Sequence, residues 1–310
     1  MREVFLAGAR ANREAACRRG SIARIEPPGT LIATGDIHDN PLHFARLVEI
    51  AGMGDGGSDE ATERRSDEVS SSGDSASTPR HSVSPSLRHL VLHELIHSDR
   101  LINGMDFSYR ALARVAALKT RFPERVHTLL ANHELAQITG AGIVKDGVRV
   151  VEAFNMGLEY VFGGDADGVA ASIDTFVRSM PLALRCVHSR GGGDTLCAHS
   201  VPSTAIMARF DPGILERDLV EADYEPRRGS AHLMVWGRGY DAEQLEDLAE
   251  RWGVGLFLLG HEKAENGARF VPPCAIVLNS DHERGAYIPI DLADPPRPEK
   301  AMGMVRMLGE

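Results

Sequence analysis

The 310-residue sequence predicts an α/β fold, and three observations carry the prediction. Short apolar runs bounded by turn residues recur along the chain, as buried strands do. Between them lie stretches with helical periodicity, and strands alternating with helices define the class. Finally, five of the runs end directly in carboxylate, amide or imidazole residues. Functional groups of open α/β sheets collect just past the carboxyl ends of the strands, so the pattern that predicts the fold also predicts a site.

Taken in chain order, Thr30-Leu31-Ile32-Ala33-Thr34 is the first such run and leads into Gly35-Asp36-Ile37-His38. Residues 54–86 follow, rich in Ser, Gly, Asp and Glu and nearly devoid of large apolar residues. Such a segment cannot offset the entropy of its own ordering and reads as a disordered surface insertion. A long insertion is tolerated because loop-closure entropy grows only logarithmically with length. Leu90-Val91-Leu92 then runs into His93-Glu94. FSYRALARVAALKTRF places Leu112, Val115, Leu118 and Phe122 on one helical face. The run from Val126 to Leu130 leads into Asn132-His133-Glu134, and Leu196-Cys197-Ala198 into His199. DAEQLEDLAERWG reads as a helix with Asp241 as N-cap and Gly253 as its stop. Leu256 to Leu259 closes the series at Gly260-His261.

Composition narrows the function. With 43% hydrophobic residues the chain can bury a sizeable core, and its net charge of −10 argues against nucleic acid or an anionic membrane as the main partner. An acidic chain still binds phosphates when metal ions supply the positive charge. The four cysteines, Cys17, Cys186, Cys197 and Cys274, are scattered without a C-x-x-C pair, which excludes a metal knuckle and a disulfide framework and fits a reducing cytoplasm. The N-terminal apolar run is too short for a secretory signal, and no stretch approaches the roughly 20 apolar residues of a membrane span. Oligomeric state leaves no mark on the sequence.

One segment invites a different reading. His93-Glu94-Leu95-Ile96-His97 matches H-E-x-x-H, the zinc-protease signature. That chemistry needs a helix, so that histidines at i and i+4 share a face and grip one zinc. Here an apolar strand leads in, Glu134 is the loose candidate for a third ligand, and Asp36, His38, His199 and His261 are left without a role.

The order Gly-Asp-x-His, an acidic residue after a second strand, Asn-His-Glu, His and Gly-His resembles the calcineurin-like metallophosphoesterases, and within them the phosphoprotein phosphatase branch. The resemblance covers roughly residues 29–291. FPERVHTLLANHE is similar to that branch's approach to its Asn-His-Glu motif. Met180-Pro181-Leu182-Ala183 with Leu196-Cys197-Ala198-His199 is similar to its Pro-Leu-Ala segment and histidine strand, and Cys274 to Asn279 with Gly285-Ala286-Tyr287 to its closing strand pair. The resemblance implies one domain built as a sandwich of two mixed β-sheets flanked by helices. It also implies two divalent metal ions, which clamp the attacking and leaving oxygens of an in-line displacement. Asp36 and His38 would hold the first ion, with Asp36 bridging to the second, and Asn132, His199 and His261 would hold the second. His133 would be the general acid. Mixed carboxylate, amide and imidazole ligands suit Mn, Fe or Zn. The second motif departs from the family's Gly-Asp-x-x-Asp-Arg-Gly. Glu94 takes the bridging place, and His97 falls where the aspartate that orients the acid would be. The motif's arginine falls on Arg100, or on Arg110 if NGMDFSYR is the shifted equivalent. Trp236-Gly237-Arg238-Gly239 resembles the late Arg-Gly segment and makes Arg238 the phosphate-binding arginine. The expected substrate is a phosphoprotein or small phosphomonoester. The other readings are a non-catalytic phospho-ligand or partner-binding member, a dinucleotide-polyphosphate hydrolase and a zinc protease.

Overall fold

The computed structural model describes residues 1–54, 87–188 and 192–309, so nearly all of the expected insertion at 54–86 lies outside the described residues. Each of the five apolar runs forms a strand. Thr30–Thr34, Arg88–Leu92 and Val126–Thr128 pair in parallel, and Ala286–Asp291 with Arg306–Met307 extends that sheet antiparallel at the Thr30–Thr34 edge. A seven-stranded sheet orders Arg18–Arg19, Ile22–Ile25, Ala183–Cys186, Asp194–Ala198, Val254–Leu259, Ala275–Leu278 and Ala268–Val271. Its central strands Asp194–Ala198, Val254–Leu259 and Ala275–Leu278 are parallel. Both sheets are mixed, as expected. The strands Arg18–Arg19, Ile22–Ile25 and Arg306–Met307 carry the sheets beyond the expected core of 29–291.

The period of two in each strand decides how the sheets stack. Leu31, Ala33 and Val91 from one sheet join Cys197, Leu256, Leu258, Ile276 and Leu278 from the other in one buried cluster, the filling of a sandwich. Their alternates Ile32, Leu90, Leu92, Leu196, Phe257 and Leu259 face outward into a second cluster, under the helices. Tyr109–Arg121 buries Leu112 and Val115, with Leu118 packed against the cluster, as its periodicity requires. Ala242–Trp252 starts where Asp241 accepts from the Gln244 amide and stops at Gly253, whose φ of 65° is the left-handed turn-off that glycine adopts without strain. The segments expected as a closing strand pair are not partners. Ala275–Leu278 lies in the seven-stranded sheet and Ala286–Asp291 in the five-stranded one, because the chain crosses between sheets at Asn279, which bridges to Asp36. No helix among the described residues is long and apolar enough to cross a membrane.

Candidate metal centre

The loops after the five strands meet in one buried place between the ends of the two sheets. Glycine makes the approach possible at two positions. A Cβ on Gly35 would lie 2.0 Å from the Leu278 carbonyl oxygen, and one on Gly260 would lie 2.4 Å from Asp36 Oδ1 and 2.5 Å from the His93 ring. Around them His38, Asp39, Glu94, His97 and His261 all hold positive φ, between 41° and 67°. Such backbone at bulky residues is costly and concentrates at sites where the surroundings hold it in place. Here the Glu94 carbonyl accepts from the Ile37 and His38 amides at 3.1 and 2.8 Å. The Glu134 carboxylate accepts from Leu95 and Ile96 at 2.6 and 3.3 Å, and Ser108 Oγ accepts from His97 N–H at 3.0 Å.

Glu94 occupies the middle. Its Oε1 lies 2.9 Å from His38 Nε2 and 3.8 Å from His133 Nε2, and its Oε2 lies 2.9 Å from His199 Nε2. His199 Nε2 also meets Asn132 Oδ1 at 2.6 Å and His261 Nδ1 at 3.1 Å. One imidazole N–H cannot serve three such partners, and Glu94 Oε2 and His261 Nε2 are buried without a hydrogen bond. Ligand atoms roughly 2.0–2.2 Å from one ion come within about 3–3.5 Å of each other, so this crowding is what a cation's donor set looks like. The donors fit divalent metal. They fall into three overlapping groups: His38 with Glu94 and His133, Glu94 with His199 and His261, and Asp36 with His93 and His199.

At His199 burial opposes a charge, but the Glu94 carboxylate raises the ring. Burial works against the Glu94 charge, yet His199, His133 and His38 hold its carboxyl well below the usual range. Burial also opposes a charge on His38, but Glu94 outweighs it and raises the ring to about 9. Burial lowers His93 and His133 to about 3 and His97 to about 4, and takes His261 well down, so these rings are neutral with lone pairs to offer. Burial and the neighbouring Glu94 raise Asp36 to about 7.

The residues read from the sequence are therefore brought together, with three differences. Asp36 turns to the His261 amide, at 2.9 and 3.1 Å, and toward His93 and His199 at 3.7 and 3.6 Å, so it groups with them rather than with His38. The His93 ring fills the space beside Gly260. His133, expected as the general acid, stands among the donors around Glu94 as a neutral ring. The arginines also differ. Arg238 is exposed at the rim, its Nη2 3.4 Å from His261 Nδ1. Arg100 braces the first loop, giving Nη1 to the carbonyls of His38 and Asp39 at 3.2 and 3.0 Å. Arg110 lies over the Phe107 and Tyr109 rings at 5.0 and 5.7 Å instead.

The H-E-x-x-H match is not a protease helix. Residues 94–98 are irregular, and the two rings part company: His93 contacts His199, and His97 contacts His133 and Gln137. Glu134, the loose candidate for a third ligand, braces the Leu95 and Ile96 amides through Oε1. Sequence reasoning placed His97 where the aspartate that orients the acid would be, and its ring does contact His133, but it missed His93 and Gln137 as parts of the centre. One signal was available, since Gln137 lies four residues after His133 on the Asn132–Thr139 helix and so shares its face.

No family model and no curated protein matches the sequence. Solved structures do. A protein serine/threonine phosphatase from Saccharomyces cerevisiae, described as similar to human phosphatase PP5, superposes with a TM-score of 0.59 at 14% identity, over 94% of this chain and 81% of that one. A cold-active protein tyrosine phosphatase superposes with a TM-score of 0.55 at 13% identity, over 90% of this chain and 78% of that one. The chain shares the fold of these two phosphatases. At these identities the likeness concerns architecture, and the site must speak for the chemistry.

Proposed function

We propose that this chain is a metal-dependent phosphoric ester hydrolase acting on phosphate monoesters of a protein or small molecule. One observation carries the reading: the two oxygens of buried Glu94 each lie 2.9 Å from a different imidazole, His38 on one side and His199 on the other, as a carboxylate shared by two cations would. Glu94, Asn132, His199 and His261 would hold one divalent ion; His38 and Glu94, with Asp36 close by, would hold the other. When bound, such a pair supplies a water of lowered pKa and positive charge for the phosphoryl oxygens. Arg238, at the rim beside His261, is placed to hold phosphate oxygens by charge-assisted hydrogen bonds. Arg100 keeps the Asp36–His38 loop in register through the His38 and Asp39 carbonyls. The phosphatase fold supports the same reaction class.

The test is metal analysis of the purified chain beside p-nitrophenyl phosphate turnover with added Mn. Two ions per chain with turnover is the expected result. Ions without turnover would leave a metal-dependent phospho-ligand binder, and no ions would end the reading.

A further inference from the structure

We propose that the two histidines of the H-E-x-x-H segment set the tautomers of two others. His93 and His97 accept the Nδ1 protons of His199 and His133, so that both present an Nε2 lone pair to the metal centre on either side of Glu94. This rests on the reading of the cluster as a metal site, and it makes His133 a ligand there.

The hydrogen bonds assign each proton in turn. His93 Nε2 lies 2.9 Å from the Thr34 carbonyl, which only accepts, so Nε2 carries the proton and Nδ1 is left as an acceptor. That Nδ1 lies 3.1 Å from His199 Nδ1, which must then donate. The Nε2 of His199 is thereby a lone pair, and it is this atom that faces Asn132 Oδ1, Glu94 Oε2 and His261 Nδ1. The second chain repeats the first. Gln137 gives its amide NH₂ to Asn155 Oδ1 at 2.8 Å, which turns its oxygen to His97 Nε2 at 2.9 Å. His97 Nε2 therefore donates, and its Nδ1 accepts from His133 Nδ1 at 2.9 Å. His133 Nε2 is left as a lone pair 3.8 Å from Glu94 Oε1, in the group with His38. Both relays leave the same segment, one residue before Glu94 and three after it. Histidines that bind metals characteristically donate their other ring proton to a fixed partner, which orients the ring and raises its basicity. Here the partner is a second imidazole anchored on a carbonyl or an amide oxygen. His93 and His97 are thus positioning residues.

The experiment is long-range proton–nitrogen correlation on the full chain labelled at histidine nitrogen and loaded with zinc. His199 and His133 should show Nδ1–H with Nε2 shifted by the metal, while His93 and His97 show Nε2–H. An Nε2–H signal on His199 or His133 in a zinc-loaded chain overturns the proposal and leaves the metal reading intact. Failure to take up zinc would sink the metal reading instead. Chelator competition with zinc adds a second measurement. His93→Leu and His97→Leu should weaken zinc binding about 10- to 100-fold. His93→Gln and His97→Gln, each with one donor and one acceptor, should stay near the parent affinity. Glutamine variants that lose zinc as badly as the leucine variants would make His93 and His97 ligands themselves and overturn the proposal. If the leucine variants fail to fold, the spectrum of the unaltered chain still decides.

Discussion

Replacing Glu94 by Gln keeps the side chain's size and removes the carboxylate charge amid His38, His133 and His199. In the proposed centre this takes a negative charge from between two dications, so metal loading should fall and turnover with it. The measurement is metal stoichiometry of Glu94→Gln beside the parent, with His199→Ala as a variant that strips a ligand. Full loading in Glu94→Gln would show that Glu94 does not bridge. At this scale the sequence was informative where a residue's role follows from its place at a strand end: Asp36, His38, Glu94, Asn132, His199 and His261 all reach the centre. It was silent on His93, and for His97 it offered only the place of an aspartate that orients His133. A five-residue pattern does not disclose that Glu94 and His97 adopt positive φ, and that backbone is what points the two rings at different partners.

Among the elements, the two helices read from the sequence were legible because their signals are local. Asp241 caps and Gly253 stops one helix as read, while the separation of Ala275–Leu278 from Ala286–Asp291 was hidden because strand pairing depends on distant residues. The end of the Tyr109–Arg121 helix offers a test in pH. Lys119 is buried there, its Nζ donating to the carbonyls of Pro123 and Val126 at 2.5 and 2.9 Å. Burial lowers its pKa from 10.5 to about 8. The unfolded chain thus binds the proton more tightly, and between about pH 8 and 10.5 it holds more protons than the folded one, so this group makes stability rise with pH in that window and leaves it flat below. Lys119→Met should abolish that rise, and should also lower stability throughout, since the two carbonyls lose their donor. Urea midpoints for parent and variant across the window decide it. Parallel pH profiles would mean that Lys119 titrates as it does in the unfolded chain.

At the scale of the molecule, the centre is a junction between sheets. Asp36, His38, Glu94 and Asn132 follow strands of the five-stranded sheet, and His199 and His261 follow strands of the seven-stranded one. What joins the layers elsewhere is non-directional packing of residues such as Leu31, Val91, Leu256 and Ile276. A cation held from both sides is different, because its donor set exists only when the sheets are in register. Metal should therefore bind the folded chain and not the unfolded one, and stabilise it by about 2.7 kcal/mol at a hundredfold excess over Kd. For a chain of this size 1 kcal/mol moves Tm by roughly 2–4 °C or less, so Mn or Zn should raise Tm by several degrees and EDTA should reverse the rise. Most of the shift should vanish in His199→Ala and in His261→Ala, each of which removes a donor from the seven-stranded side. Arg238→Ala, altered at the rim, should keep the shift while losing turnover. If a chain that demonstrably loads metal melts at the same temperature with and without it, the ions sit elsewhere and the centre between the sheets is not their site.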